Sequence, residues 1–401
     1  MVQKGLAGFF KNYLDKSPIF KNKEALTSSY IPNELIHRED KIQNIASIIG
    51  PVLRGEKPSN LFVYGKPGTG KTVSIKYILE NLVNVAKDEN VNASTYYINA
   101  KMKKMTDTEY RLIVYLAKKL GRDIPNTGLS TSEVYDEFFK AIEEKKSNII
   151  LVIDEIDSLI EKSGDDLLYI LVRKNEELVN SKLSLIGISN KPNFLDNLDS
   201  RVKSSLSQEE ILFSPYNAIQ LQDILSKRSD VAFNDNVLES GVIEKCAAYA
   251  ARENGDARRA IDLLRIAAEI SERKGFNKIN IKKVDEAQTK IDKDRYFESI
   301  KSLPKQFKAV FYSIFDLNMN KKKCSSTDVY NHYQKVASEI SLRPLTQRRV
   351  SDILNDLESS GLISMNTFSR GRYGKKRVIK VTIPEMFYSS IKAYLESEFT
   401  F

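Results

Sequence analysis

Cysteine and histidine are scarce in this sequence of 401 residues. The two cysteines, Cys246 and Cys324, lie far apart and lack the C-x-x-C spacing of a metal or redox motif. A disulfide scaffold and a zinc site are therefore not expected, and the cysteine usage fits a reducing compartment. There are two histidines, His37 and His332, so a metal site or catalytic triad built on histidine is not expected.

The sequence also lacks long apolar runs. No stretch approaches the roughly 18 consecutive apolar residues of a membrane span, and the first residues, MVQKGLAGFFKNYLDK, contain no signal-peptide pattern. We therefore expect a soluble protein of the cytoplasm with no membrane partner. With 41% hydrophobic and 29% charged residues the composition is ordinary for a globular protein. The length suggests two or three domains.

Positive charge is in excess, and most of it is concentrated near the C-terminus. The whole chain has a net charge of +9, and the segment Lys321 to Lys380 contains 13 Lys and Arg against 5 Asp and Glu, a net of +8. Such a block is most often a solvated surface. Its concentration in sixty residues favours a polyanionic partner instead.

The stretch from Leu61 to Leu79 combines a predicted strand, a glycine-rich loop and a predicted helix. The loop GKPGTGKT matches G-x-x-x-x-G-K-[ST], whose backbone N–H groups and following helix surround phosphates. Lys71 is predicted to reach the β- and γ-phosphates, and the Thr72 hydroxyl to ligate Mg²⁺. The alternative is a glycine-rich turn that matches by chance. The predicted nucleotide-binding residues of this stretch are Gly65, Pro67, Gly68, Thr69, Gly70, Lys71, Thr72 and Val73.

Strands alternate with helices through the first half of the chain. Predicted strands at Leu61–Tyr64, Ser94–Asn99 and Ser184–Ser189, with the apolar run Ser147–Leu159, several of them continuously apolar, predict a parallel sheet covered on both faces, an α/β fold. From about residue 211 only helices are predicted, as far as residue 290. The charged segment 292–295 is interpreted as a linker. The last hundred residues predict helices followed by a strand pair, 362–368 and 376–383.

Asp154 and Glu155 end the apolar run ILVIDE. Carboxylates at the end of a strand beside a phosphate loop predict a division of roles. Asp154 is expected to hold the Mg²⁺ shell and Glu155 to orient and polarise the attacking water. The alternative is a pair of surface acids after a strand.

Three further polar residues have two interpretations each. Asn190 follows a predicted strand and could position water against the γ-phosphate, or could form a turn before Lys191-Pro192. Arg201 could be a surface charge or an arginine finger. Arg258 begins a predicted helix, where a cation is unfavourable for the helix dipole, so it either binds an anion or is solvated.

The basic block predicts a winged helix. Val350, Ile353, Leu354 and Leu357 form one buried helical face, while Arg348, Ser351, Asn355 and Ser359 fall on the opposite face. A strand pair follows, and its tip carries Arg370, Arg372, Tyr373, Lys375, Lys376 and Arg377. A helix, a helix and a basic hairpin favour DNA binding through the major groove. A winged helix that binds proteins is the alternative.

Taken together, these motifs resemble the archaeal initiators related to origin-recognition-complex and Cdc-type helicase-loading proteins, which are AAA+ ATPases. GKPGTGKT and IILVIDEID are similar to the family's Walker A and B motifs, GISN to its first sensor and GDARRAIDLLR to its second. PLTQRRVSDILNDLESSGL and SRGRYGKK resemble its recognition helix and wing. TGLSTSEVYDEFF, residues 127–139, resembles the helical insertion that touches DNA in the family, although basic residues near it are few.

The resemblance implies roles for individual residues. Asn190 would be a catalytic sensor, Arg201 would act on the site of a neighbouring subunit, and Arg258 would reach the γ-phosphate from the lid. The stretch YIPNELIHRE would line the adenine pocket, and Tyr216 and Arg228 would flank the nucleotide. The implied additional nucleotide-site residues are Ile31, His37, Arg38, Tyr216, Arg228 and Arg258. The implied DNA-binding residues are Arg343, Thr346, Gln347, Arg348, Arg349, Ser351, Asn355, Arg370, Arg372, Tyr373, Lys375, Lys376 and Arg377.

The resemblance also implies an architecture and partners. We expect an arm at 1–30, an AAA+ P-loop αβα base at 31–213, a helical lid at 214–292 and an α+β winged-helix domain at 293–401. ATP, ADP and Mg²⁺ are the expected ligands. Origin DNA, the minichromosome-maintenance helicase and other initiator subunits are the expected partners, at the nucleoid. Two alternatives stay open, an ATP-gated transcription regulator and a protein-remodelling ATPase.

Overall fold

A computed structural model of the protein describes residues 19–101, 108–206, 208–320, 324–369 and 375–399. The chain divides into two compact units, residues 1–284 and 285–401. Within the described ranges, no helix combines the length and apolar character needed to cross a membrane.

The first unit is built on a five-stranded parallel sheet. Its strands are β1 (Asn60–Tyr64), β2 (Ala93–Asn99), β3 (Asn148–Asp154), β4 (Lys182–Ser189) and β5 (Gln208–Leu212). The spatial order is β2-β3-β4-β1-β5, so β1 lies between the strands that come fourth and fifth in the chain. This order brings the C-terminal ends of β1, β3 and β4 together at one edge of the sheet.

Helices connect the strands and cover both faces of the sheet. They are α1 (Glu39–Ile49), α2 (Lys71–Asp88), α3 (Glu109–Lys119), α4 (Thr131–Glu144), α5 (Ile156–Ser163), α6 (Asp166–Lys174) and α7 (Ser200–Leu206). Alternation along β3 explains the two layers. Ile149, Leu151 and Ile153 pack into one apolar cluster with α3 to α6, while Ile150 and Val152 pack into another with α1 and α2. The result is an αβα sandwich.

A helical subdomain follows the sheet within the same unit. It contains α8 (Ala218–Ala232), α9 (Val242–Arg252) and α10 (Ala257–Arg273). Its interior holds alanine and leucine side chains, including Leu225, Ala247 and Leu264, which are fully buried. Asp256 caps α10, since its carboxylate accepts hydrogen bonds from the backbone N–H groups of residues 258 and 259.

The second unit is a small α+β domain. Its elements are α11 (Ile281–Lys301), which spans the division between the units, α12 (Lys305–Met319), α13 (Ser326–Glu339), α14 (Gln347–Ser359), β6 (Ile363–Ser369), β7 (Lys375–Val381) and α15 (Tyr388–Phe399). β6 and β7 pair antiparallel. The predicted stripe on α14 faces the core, where Val350, Ile353, Leu354 and Leu357 are buried. A helix followed by a two-stranded wing is the winged-helix arrangement.

The predicted fold class, an αβα sandwich with a helical lid and a winged helix, is confirmed. Two local predictions are wrong. Strand β5 was missed, because Gln208, Glu209 and Glu210 interrupt any apolar run on this edge strand. The segment Asp292–Arg295 is not a linker but part of α11, since no glycine or proline interrupts the chain before Pro304. The proposed domain boundaries at 30/31, 213/214 and 292/293 stay predictions.

Candidate functional site

The phosphate loop joins β1 to α2, and two of its glycines are required by its shape. A side chain on Gly65 would place its Cβ 2.3 Å from the carbonyl oxygen of Phe213. Gly68 has a φ of +72°, in the left-handed region that favours glycine. Gly65 therefore packs too closely against the Phe213 backbone to carry a side chain, and Gly68 holds a backbone conformation that favours glycine. The loop leads into the N-terminus of α2, a position that favours anions.

Lys71 lies at the first position of α2 and is only 5% exposed. Its Nζ donates hydrogen bonds to the carbonyl oxygens of Gly65 (2.7 Å) and Lys66 (2.8 Å), and to Oδ1 of Asn190 (3.0 Å). Burial lowers the pKa of Lys71 to about 8, and the charge of nearby Asp154 partly opposes this shift. Because β4 is the neighbour of β1, the sheet order itself brings Asn190 to the phosphate loop.

Asp154 and Glu155 lie at the end of β3, beside the same loop. Thr72 Oγ1 donates a hydrogen bond of 2.9 Å to Asp154 Oδ2. Glu155 has left-handed backbone angles, with φ +57° and ψ +41°, and its side chain forms an ion pair with Lys101. A hydroxyl and a carboxylate are the oxygen ligands that Mg²⁺ takes alongside phosphate oxygens and water, so this pair fits a magnesium ion.

A cavity of about 430 Å³ opens between the sheet edge and the helical subdomain. The predicted residues that line it come from both parts: Ile31, Gly68, Thr69, Gly70, Lys71, Thr72, Val73, Asp154, Glu155, Asn190, Tyr216, Arg228 and Arg258. Four predicted nucleotide-site residues, Gly65, Pro67, His37 and Arg38, do not line it. The cavity wall also includes residues that were not predicted individually, among them Lys76, Tyr97 and Asn99.

Arg38 holds the phosphate loop in place through a hydrogen bond to its backbone. Its side chain is buried, and it donates to the carbonyl oxygens of Thr69 (3.0 Å) and Ser214 (2.6 Å). The guanidinium also lies 3.7 Å from the ring centroid of Tyr216, a cation–π contact. Burial lowers the pKa of Arg38. Arg38 thus fixes the loop and Tyr216 relative to each other.

Residues 19–37, here called the N-terminal strap, contain a short 3₁₀ helix (Lys23–Leu26) and run antiparallel along α8. Its start is held by backbone hydrogen bonds, from Asn234 N to Ile19 O (3.2 Å) and from Lys21 N to Ala232 O (2.8 Å). Its end is held by side chains, since Glu34 pairs with Lys227 and His37 Nε2 lies 2.7 Å from Asp223 Oδ2. The sequence predicted only an arm over residues 1–30, because this stretch has no clear periodic pattern of apolar residues.

Arg228 holds the middle of the N-terminal strap. Its guanidinium donates to the carbonyl oxygens of Ala25 (3.0 Å) and Tyr30 (3.2 Å), and lies 4.6 Å from the Tyr30 ring centroid. Residues 27–36 of the strap line the cavity, as do Ile224 and Val231 of α8. One wall of the cavity is therefore made by the strap and α8 together.

The start of α10 lies directly against the phosphate loop. The backbone N–H of Ala257 donates to the carbonyl of Gly68 (3.1 Å), and a Cβ on Gly68 would lie 1.7 Å from Asp256 Oδ1. Arg258 follows and also lines the cavity, and its charge contributes to the lowered pKa of Lys71. An anion in the cavity would therefore meet cationic groups from the base and the helical subdomain.

Arg201 lies apart from this cavity. Its side chain is 77% exposed, and its Nε donates to Asp199 Oδ1 at 3.1 Å. Neighbouring Asp199 raises the pKa of Arg201. Arg201 is not among the residues that line the cavity of its own chain.

The second unit carries a separate cluster of exposed polar residues. Arg343, Thr346, Gln347, Arg348, Arg349 and Asn355 are exposed at or near α14, and Ser351 is half-buried. Thr346 caps the helix, because its hydroxyl accepts from the backbone N–H of Arg349 (3.4 Å). In the wing, Arg377 is exposed. Arg370, Arg372 and Tyr373, with the side chains of Lys375 and Lys376, lie outside the described residues.

A phosphate loop after β1, paired acids at the end of β3 and a helical lid, followed by a winged helix, define an AAA+ ATPase with a C-terminal winged-helix domain. Three family models match the chain: "AAA domain" over residues 54–190, "Cdc6 AAA+ ATPase-type lid domain" over 222–289 and "CDC6, C terminal winged helix domain" over 298–387.

Similar proteins match nearly the whole chain. An ORC1-type DNA replication protein of Thermococcus onnurineus is 48% identical over 383 residues, 94% of this chain and 92% of that one. One from Pyrococcus furiosus is 46% identical over 390 residues, 96% and 92%. The structure of the Aeropyrum pernix ORC1 protein in complex with DNA has a TM-score of 0.82 at 40% identity and covers 96% of this chain and 98% of that one.

The chain belongs to the family of ORC1-type DNA replication proteins with Cdc6-type lid and winged-helix domains, and it is an ATPase. The resemblance inferred from the sequence is thereby confirmed. The roles of individual site residues stay predictions.

Proposed function

We propose that this protein is an ATP-switched replication initiator that binds double-stranded origin DNA and helps to load the replicative helicase, the minichromosome-maintenance complex. The observation that supports this most directly is one cavity lined by Lys71, Thr72, Asp154 and Asn190 from the base and by Arg258 from the lid. A triphosphate held there would contact both parts at once. Its hydrolysis would change what the lid contacts.

Within this proposal each side chain has a task. Lys71 and Arg258 neutralise the phosphates, and Asn190, fixed by Lys71, orients water at the γ-phosphate. Glu155 polarises that water. Thr72 and Asp154 would hold Mg²⁺, which supplies charge neutralisation on the phosphate oxygens when bound.

The second half of the proposal concerns DNA. The Aeropyrum pernix relative was solved in complex with DNA. In this chain, the exposed arginines at the start of α14 and the exposed Arg377 on the wing are side chains suited to bases and phosphates. We infer that α14 enters the major groove and the wing contacts the backbone.

Arg348 tests the DNA contact. Arg348→Ala should reduce discrimination between origin and unrelated duplexes by about 1–3 kcal/mol if the guanidinium reads a base. Binding would be measured by fluorescence anisotropy over a salt series, where affinity should fall with a slope of about −0.9 per phosphate contact. Lys392→Ala, which removes a basic residue on α15, is the control. Equal loss of affinity on every sequence would leave Arg348 as a phosphate contact only.

Lys71 tests the link between nucleotide and helicase. Lys71→Ala should abolish recruitment of the helicase to origin fragments while leaving DNA binding largely intact. Mapping bound sites across the genome would separate the alternatives. Replication start points support an initiator, promoters would support a transcription regulator, and no enrichment would favour a protein-remodelling ATPase.

A further inference from the structure

Strand β2 places a tyrosine on the wall of the nucleotide cavity. In the parallel pairing of β2 with β3, Tyr97 lies opposite Val152 and Asn99 lies opposite Asp154. Alternate residues of a strand share a face, so Tyr97 and Asn99 both line the cavity. The Tyr97 hydroxyl donates a hydrogen bond of 2.5 Å to Asp154 Oδ2.

The Asp154 carboxylate accepts three hydrogen bonds. Oδ2 accepts from Thr72 Oγ1 (2.9 Å) and from the Tyr97 hydroxyl (2.5 Å), and Oδ1 accepts from the backbone N–H of Glu155 (2.9 Å). Asp154 is only 5% exposed. Three donors on a buried carboxylate leave it little rotational freedom, and the Tyr97 oxygen still has acceptor capacity for a further donor.

The Tyr97 ring is itself held in place from the phosphate-loop helix. The Lys76 ammonium, on α2, lies 4.6 Å from the Tyr97 ring centroid and also lines the cavity. A cation over the ring face is attractive, and it joins Tyr97 to the same helix that carries Thr72. The hydroxyl is therefore placed by β2 and by α2 together.

We propose that Tyr97 is a positioning residue for the metal, which fixes the Asp154 carboxylate in the orientation needed to bind Mg²⁺ together with Thr72. This inference rests on the proposed function, since it assumes that Thr72 and Asp154 hold the metal. Groups that orient a metal-binding carboxylate from behind commonly change metal affinity by about 10–100-fold when they are removed.

Tyr97→Phe tests the inference because it removes only the hydroxyl and keeps the ring against Lys76. Binding of a fluorescent ADP analogue would be titrated in EDTA and then with rising Mg²⁺. We expect unchanged affinity in EDTA and a Mg²⁺ midpoint raised roughly tenfold. The control is Tyr96→Phe, on the same strand, whose ring packs into the apolar cluster on the other face of the sheet.

Other results would overturn the inference in distinguishable ways. An unchanged Mg²⁺ midpoint in Tyr97→Phe would show that the hydroxyl only packs. An equal loss of affinity with and without Mg²⁺ would make Tyr97 a contact for the nucleotide or a structural residue. If the wild-type protein binds the analogue equally with and without Mg²⁺, the metal site of the proposed function fails, and the role of Tyr97 fails with it.

Discussion

Lys71 has an ammonium group whose charge depends on pH in an accessible range. Its pKa is lowered by burial to about 8, from 10.5 for an exposed lysine. As pH rises through 8 the nucleotide-free protein loses this proton, so phosphate binding should weaken. We expect ADP affinity to fall between pH 8 and pH 9.5, by at most about tenfold per pH unit.

The comparison variant for this prediction is Lys71→Gln, which carries no charge at any pH. It should bind ADP weakly and with no slope above pH 8. Calorimetric titration at constant ionic strength would measure both proteins. A wild-type affinity that stays constant to pH 9.5 would contradict a lowered pKa.

The same shift affects folding stability. Between pH 8 and pH 10.5 the unfolded chain binds this proton and the folded chain does not, so the contribution of Lys71 to the free energy of unfolding rises as pH rises through this range.

Gly68 touches the lid, and a matched pair of glycine variants can measure that contact. Gly68 and Gly55 have similar left-handed angles, φ +72° and +78°, but only Gly68 would place a Cβ against Asp256. Gly55→Ala should lower the free energy of unfolding by about 1 kcal/mol through backbone strain. Gly68→Ala should lower it further and weaken ADP binding. Equal losses in urea unfolding would show that the Asp256 contact contributes nothing.

At the scale of elements, the N-terminal strap and α8 make one wall of the nucleotide cavity. Arg228→Gln would remove two charge-assisted hydrogen bonds to the strap, and we expect ADP to leave roughly 10–100-fold faster. Stopped-flow fluorescence with a displaced ADP analogue measures this rate. Arg252→Gln, an exposed change on α9, is the control and should leave the rate unchanged.

A second variant separates positioning from direct contact with the nucleotide. Phe20 packs against Phe233 with ring centroids 5.5 Å apart and does not line the cavity. If the strap controls release, Phe20→Ala should also speed it. Faster release in Arg228→Gln alone would make Arg228 a ligand of the nucleotide, as its family resemblance implies.

Sequence reasoning worked best for elements with strong local patterns. The strands β1, β3 and β4 are largely apolar, and β2 is rich in β-branched and aromatic residues. The buried stripe of α14 has a helical period, and the phosphate loop is a contiguous motif. It failed where contacts between residues distant in the sequence determine the local structure. The strap is held by contacts with α8 and by an ion pair from Lys23 to Glu269 of α10, β5 is an edge strand with one buried residue, and charged residues continue α11 past residue 292.

The same holds for the site, where residues near strand ends were predicted and residues held by distant contacts were not. Asp154 ends β3, Asn190 follows β4, and Lys71 and Thr72 follow the phosphate loop after β1, so their meeting at one sheet edge follows from a parallel sheet. Tyr97 and Asp256 were missed because their partners are distant in sequence. Tyr97 could have been found by aligning β2 with β3 in register and reading its alternate positions. No sequence pattern gave the contact of Asp256 with Gly68.

At the scale of the whole molecule, the position of Arg201 predicts that hydrolysis needs a second copy. Lys71→Ala lacks a working phosphate loop but keeps Arg201, while Arg201→Ala keeps the loop. Each alone should hydrolyse ATP very slowly, and an equal mixture on duplex DNA should exceed their sum by roughly tenfold or more. Phosphate release measures the rate. If Arg201→Ala is as active as the wild type, the arginine acts on no neighbouring site.

Glu155 keeps backbone angles that most amino acids avoid, and this limits how stable the first unit can be. Left-handed angles in a residue with a side chain have a torsional cost on the order of 1–3 kcal/mol, which glycine would not carry. Glycine would also remove the carboxylate from the cavity wall. The first unit therefore retains local strain at the end of β3, and Glu155→Gly would be expected to relieve that strain while removing the carboxylate that the proposed function assigns to hydrolysis.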